Sequence, residues 1–218
     1  MSLKIQAGSK LVMIGDSITD AGRTRPNGEG LFEALGKGYV NLVDALLGAS
    51  YPQLGIRVVN QGNSGNTVRD LKARWQTDVT DLRPDWLSVM IGINDVWRQF
   101  DTPRQTEWSV PLEEYERTLD ELLAATRPSL KGLVLITPYF IEPNRSDAMR
   151  ATMDRYGDAV KRQAVRHKAL LVDAQAAFDD ILQHMHPCNL AWDRIHPTTT
   201  GYLVLARAFV NAVGFEWA

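Results

Sequence analysis

Short apolar runs alternate with longer amphipathic stretches along this chain, and the alternation occurs five times. Residues 11–14, 56–59, 86–91, 133–136 and 169–172 form nearly continuous apolar runs, which predict strands buried on both faces. Between them, the stretch 39–47 carries Val40, Val43, Leu46 and Leu47 at helical spacing. Thr67, with Asp70 three positions on, reads as the capped start of a helix toward Trp75. Helices are also expected over 111–126, with Pro111 near the first turn, and over 147–167, with a break near Gly157. A last helix over 198–213 follows the breaker Pro197. Strand and helix in strict alternation predict an α/β fold, a parallel sheet covered on both faces. Right-handed crossovers make that a three-layer αβα sandwich. No linker or low-complexity segment interrupts residues 1–218, so one domain is expected. Trp75, Trp86, Trp97 and Trp108 recur every eleven residues, but their neighbours do not match, so this is no repeat.

The polar residues gain meaning from their places against those strands. Gly15-Asp16-Ser17 follows the first run, Gly62 to Asn66 follows the second, and Gly92-Ile93-Asn94-Asp95 follows the third. All three leave carboxyl ends of a parallel sheet, the edge where such folds bind ligands. Asp193-Arg194-Ile195-His196 precedes the last helix and can return to that edge. Each residue type suits one task in acyl transfer. A serine hydroxyl needs a base, and His196 can serve Ser17 in that role. Asp193, three residues earlier, can fix the imidazole's tautomer. The oxyanion formed on attack needs preset donors, for which Ser17 N–H, Gly65 N–H and the Asn94 side chain are candidates.

Simpler readings compete. Ser17 could be a helix N-cap, and Asn94 with Asp95 could close a turn. His184, His186 and Cys188 are possible zinc ligands by type, but their spacing fits no zinc pattern and a fourth ligand is missing. His167 reads as a solvated residue at a helix C-terminus, and Cys188 as a small buried hydrophobe. Asp16 and Asp20 lack the carboxylate at position 18 that an aspartyl-phosphate enzyme would use. The loop 62–66 lacks the following lysine of a phosphate cradle. Neither a metal nor a cofactor is therefore expected.

The four blocks together, in this order, resemble the SGNH, or GDSL-type, hydrolase superfamily. The resemblance implies its flavodoxin-like, five-stranded parallel sheet. It also implies Ser17 as nucleophile, Asp193 and His196 as the acid–base pair, and Gly65 with Asn94 as oxyanion donors. The run from Asn63 to Leu71, the run from Ile91 to Trp97, and Ala191-Trp192-Asp193 look like the intracellular acetylxylan esterases of that superfamily. That likeness implies removal of acetyl groups from xylo-oligosaccharides by a homo-oligomer. The alternatives within reach are a lysophospholipase or acyl-thioesterase of the same superfamily, and a non-catalytic sugar-binding protein. Trp97 and Trp192, beside the blocks, are candidate substrate-binding residues, and the segments 100–109 and 139–147 are expected to flank the cleft.

Composition narrows the field further. With 24 basic and 26 acidic side chains the net charge is -2, so the basic footprint of a nucleic-acid binder is missing. Arg69, Lys72 and Arg74 alternate with acidic neighbours and read as a solvated helix face. The single cysteine excludes an intrachain disulfide. Runs of bilayer or signal-peptide length are lacking, so no membrane association and a cytoplasmic location are expected.

Overall fold

The computed structural model describes residues 3–217. Five parallel strands form one sheet: β1 (Lys10–Gly15), β2 (Arg57–Gly62), β3 (Trp86–Met90), β4 (Gly132–Ile136) and β5 (Leu170–Val172). Their order is β2-β1-β3-β4-β5. This is the flavodoxin-like order, whose switch point lies between β1 and β3. The register aligns the strand tips there. Gly15 pairs with Gly62 on one side and with Met90 on the other. The loops that follow are thereby set side by side.

The helices are α1 (Ser17–Asp20), α2 (Tyr39–Ser50), α3 (Val68–Trp75), α4 (Ile93–Asp101), α5 (Leu112–Thr126), α6 (Ala148–Arg166), α7 (Ala174–Leu182), α8 (Pro187–Leu190) and α9 (Thr199–Ala212). α2 and α7 pack on α9, while α3 and α6 pack on α5, giving one helical layer for each face. The core is one cluster that runs through every strand, with Leu11, Val12, Met13 and Ile14 all buried in β1. Truncating such a side chain to alanine typically costs about 2–5 kcal/mol.

Two differences from the sequence-based expectations have physical causes. α6 runs unbroken through Gly157. A Cβ there would meet only Thr137, at an ordinary 3.8 Å, and the neighbours Met153, Tyr156 and Val160 on the same helix are buried in the core. Packing offsets the helix penalty of glycine, about 1 kcal/mol. The segment after β3, where Asn94 and Asp95 could have closed a turn, forms a helix, α4. Its first turn buries Asn94 and Asp95 beside Ile93 and Val96, so polar side chains occupy the inward face and mask the apolar period.

Candidate active site

The single turn α1 presents the hydroxyl. Asp16 caps that turn by accepting the Ile18 N–H on Oδ1 at 3.0 Å. Ser17 is therefore relieved of the capping role its residue type would suit. Its Oγ lies 2.8 Å from His196 Nε2. The other ring nitrogen, Nδ1, lies 2.6 Å from Asp193 Oδ2. Asp193 Oδ1 accepts the backbone N–H groups of Ile195, at 2.9 Å, and His196, at 2.8 Å. Burial pulls the Asp193 carboxyl upward, but the His196 ring and these two amides outweigh it and hold its pKa below the usual value. A carboxylate that accepts Nδ1–H leaves the Nε2 lone pair facing the serine.

The turn that carries Asp193 and His196 is anchored on the chain after β4. Ile141 N–H donates to Arg194 O at 3.0 Å, and the buried Tyr139 hydroxyl donates to Ile195 O at 3.0 Å. Arg194 also forms an ion pair with Glu142. Residues 139–142, from the segment expected to flank the cleft, thus hold the turn and do not line the cavity beside Ser17.

Ser17, Gly65, Asn94 and His196 line one cavity of about 430 Å³, together with Trp97, Arg98 and Tyr202 among others. Gly65 has φ +81°, and a Cβ added to it would meet no protein atom within 4 Å. Backbone conformation therefore calls for glycine here, not crowding. Asn94 donates through Nδ2 to Asn66 O at 2.9 Å, and its Oδ1 accepts from Arg98 at 3.3 Å. These two bonds fix the amide plane and leave one N–H of Nδ2 for a ligand.

Several residues behind the cavity tie its loops together. Asp20 Oδ2 accepts the backbone N–H of Ser64 at 3.1 Å and its hydroxyl at 2.8 Å. Asp95 is buried and accepts Val68 N–H at 3.0 Å, joining the β3 tip to the start of α3. Burial raises the Asp95 pKa to about 7, with the nearby Asp16 charge adding to it. Burial likewise raises Asp16 to about 7, against the pull of its Ile18 bond, His196 and Arg74.

Arg74 departs from the expected solvated face. Its side chain is only 14% exposed. It donates to Gly15 O at 2.8 Å, Gln61 O at 2.8 Å and Asn66 Oδ1 at 2.6 Å. One guanidinium thus grips the tips of β1 and β2 and the loop that holds Gly65. The charge pattern around Arg74 carried no hint of this, because only the aligned strand tips create its acceptors.

Trp97 places its ring 6.0 Å from that of His196, centroid to centroid, and lines the cavity. Trp192 is 85% exposed and lies outside the cavity lining. Cys188 is exposed rather than buried. His186 Nδ1 accepts the Cys188 N–H at 3.3 Å as the cap of α8. His167 is largely buried instead of solvated, with Nε2 2.7 Å from Asp120. Among the described residues, no group of three or more His, Cys, Asp or Glu is placed to hold a metal.

Residues 13–204 match the GDSL-like lipase/acylhydrolase family. The chain is 59% identical over 215 residues to an acetylxylan esterase of Geobacillus stearothermophilus, covering 99% of this chain and 98% of that protein. The crystal structure of that organism's acetylxylan esterase Axe2 superposes with a TM-score of 0.97 at 59% identity, over 98% of each chain. Crystal structures of Axe2 include catalytic mutants in which a serine, a histidine or an aspartate is replaced by alanine. LAE5, an α/β hydrolase from the metagenome of Lake Arreo in Spain, superposes with a TM-score of 0.96 at 63% identity, over 98% of each chain.

Proposed function

The chain belongs to the GDSL-like lipase/acylhydrolase family, and on that premise we propose that it removes acetyl groups from acetylated xylo-oligosaccharides through Ser17, His196 and Asp193. It is a serine ester hydrolase. The observation that carries the residue roles is the unbroken relay from Ser17 Oγ to His196 Nε2 and from His196 Nδ1 to Asp193.

The chemistry follows from that relay. Ser17 Oγ attacks the acetyl carbonyl carbon while its proton passes to His196 Nε2. Asp193 stabilises the imidazolium that results. Negative charge moves to the carbonyl oxygen, where the N–H groups of Ser17 and Gly65 and the Asn94 amide receive it. Collapse breaks the C–O bond to the sugar, and His196 returns the proton to the leaving hydroxyl. Water then repeats the attack on acetyl-Ser17, again through His196, and acetate leaves.

The cavity beside Ser17 is lined by small and polar residues with Trp97 and Tyr202, which suits an acetyl group better than a long acyl chain. Exposed Phe32 and Trp192 support assembly as a homo-oligomer, which sedimentation would measure. The single cysteine fits a cytoplasmic location. One sheet with one core supports a single catalytic domain over residues 1–218. The deciding experiment is acetate release from acetylated xylo-oligosaccharides by the native protein and by Ser17→Ala. Release should vanish in the variant, and equal rates would overturn the assignment of the nucleophile.

A further inference from the structure

A second cavity, of about 470 Å³, adjoins the one beside Ser17. The two share Gly65 and Arg98. The rest of the second lining comes from Thr67, Arg69 and Asp70 around the start of α3, and from Glu107 and Trp108 on a short 3-10 turn, Thr106–Trp108.

Trp108 is 52% exposed, so core packing does not account for it. Trp75, Trp86 and Trp217 donate their indole N–H groups to Thr126, Gln6 and Asn211. Among the described residues, the indole N–H groups of Trp97, Trp108 and Trp192 have no such acceptor, and of these only Trp108 lines the second cavity. Its ring offers an apolar face with an unused donor at the edge, the character that suits a sugar ring.

The wall that carries Trp108 is nonetheless held in place. Arg69 donates to Glu107 O at 2.8 Å and Ser109 O at 3.2 Å, while its other nitrogens pair with both carboxylate oxygens of Glu114, at 2.5 and 2.6 Å. A preset wall lowers the ordering cost of binding. The charges facing the cavity balance, with Arg69 and Arg98 against Asp70 and Glu107. Such a lining favours a neutral polyhydroxyl ligand over an anion. With one aromatic face and otherwise polar groups, it is poorly suited to an acyl chain.

We propose that this second cavity is the subsite for the sugar chain that bears the acetyl group, with Trp108 as its stacking face. The proposal rests on the esterase reading above. It places the acetylated unit at Ser17 and leads the neighbouring unit past Gly65 and Arg98 onto Trp108. Trp108 is then a specificity residue: it would favour oligosaccharides over small acetate esters, mainly through KM.

The test compares kcat/KM on acetylated xylose, acetylated xylotriose and phenyl acetate for the native protein, Trp108→Ala and Trp108→Phe. The ratio of xylotriose to phenyl acetate should fall about three- to tenfold in Trp108→Ala, the worth of one aromatic contact. Trp108→Phe should recover most of it. Trp108→Ala should also erase the native preference for xylotriose over xylose. A proportional loss on all three substrates, or an unchanged ratio, would overturn the subsite. Native protein that cleaves phenyl acetate but none of the sugars would refute the carbohydrate reading itself, and the subsite with it.

Discussion

Arg74 donates to the carbonyl oxygen of Gly15 at 2.8 Å, so a side chain from α3 grips the strand end that leads into Ser17. The same guanidinium holds Gln61 O and Asn66 Oδ1. Removing it takes one donor from Gln61 O and one from Gly15 O, which keeps the Asn63 N–H at 3.0 Å; a lost hydrogen bond to a charged donor costs about 1–3 kcal/mol. The removal also frees the loop of Gly65 relative to Ser17. Arg74→Met should lower the melting temperature and, measured well below it, reduce kcat at least tenfold with little change in KM, because the loosened geometry matters most in the transition state. Arg74→Lys, which keeps the charge but loses the fork, should recover only part of kcat. A variant with native kcat would show that the strap serves stability alone.

Asn94 is already oriented by Asn66 O and Arg98, so its free N–H is fixed before substrate arrives. Asn94→Ala should lower kcat about 10²–10³-fold with a modest effect on KM, as expected for one oxyanion donor. Steady-state hydrolysis of phenyl acetate checks this directly. A change confined to KM would move Asn94 from the transition state to ground-state binding.

Two buried carboxyls give the fold an unusual pH dependence. Asp16 and Asp95 are raised from the usual 3.8 to about 7. Between those values the native state holds protons that the unfolded chain has lost, so their stabilising contribution is complete below about pH 4 and is lost as pH rises through about 7. Asp95→Asn removes one of the two groups. Urea unfolding at pH 5 and pH 8 should show a smaller loss of stability in the variant than in the native protein, by an amount on the order of 1–3 kcal/mol. An identical loss in both would mean that Asp95 does not titrate in this window.

The strands were legible because the inner ones are buried on both faces and leave nearly continuous apolar runs, as in β1 and β4, whereas the edge strand β5 leaves Leu171 exposed despite its apolar sequence. The positions of Ser17, Gly65 and Asn94 at strand tips followed from the alternation alone. α4 was not legible, since Asn94 and Asp95 occupy its inward face. Arg74 was hidden for a related reason. Local charge pattern describes neighbours along a helix, whereas its acceptors lie on two strand tips and a loop brought together only by the sheet. The segment 100–109 was expected beside the cleft, but Trp108 did not stand out within it, because its wall depends on Arg69 reaching Glu107 O and Ser109 O across the fold.

Asp193 gives the sharpest test of the relay. In Asp193→Asn the amide oxygen can still accept the N–H groups of Ile195 and His196, which the carboxylate now holds at 2.9 and 2.8 Å. The turn should therefore survive, with unfolding close to native. The amide nitrogen, however, would meet His196 Nδ1 as a donor where the carboxylate accepted. That forces Nδ1 to accept and puts the ring proton on Nε2, facing Ser17. The base is then occupied and the imidazolium has lost its counter-charge. kcat should fall about 10⁴-fold at neutral pH. Asp193→Glu should lose less where its longer carboxylate can still reach Nδ1. Near-native turnover in Asp193→Asn would mean that the aspartate only shapes the turn, and that another group sets the tautomer of His196.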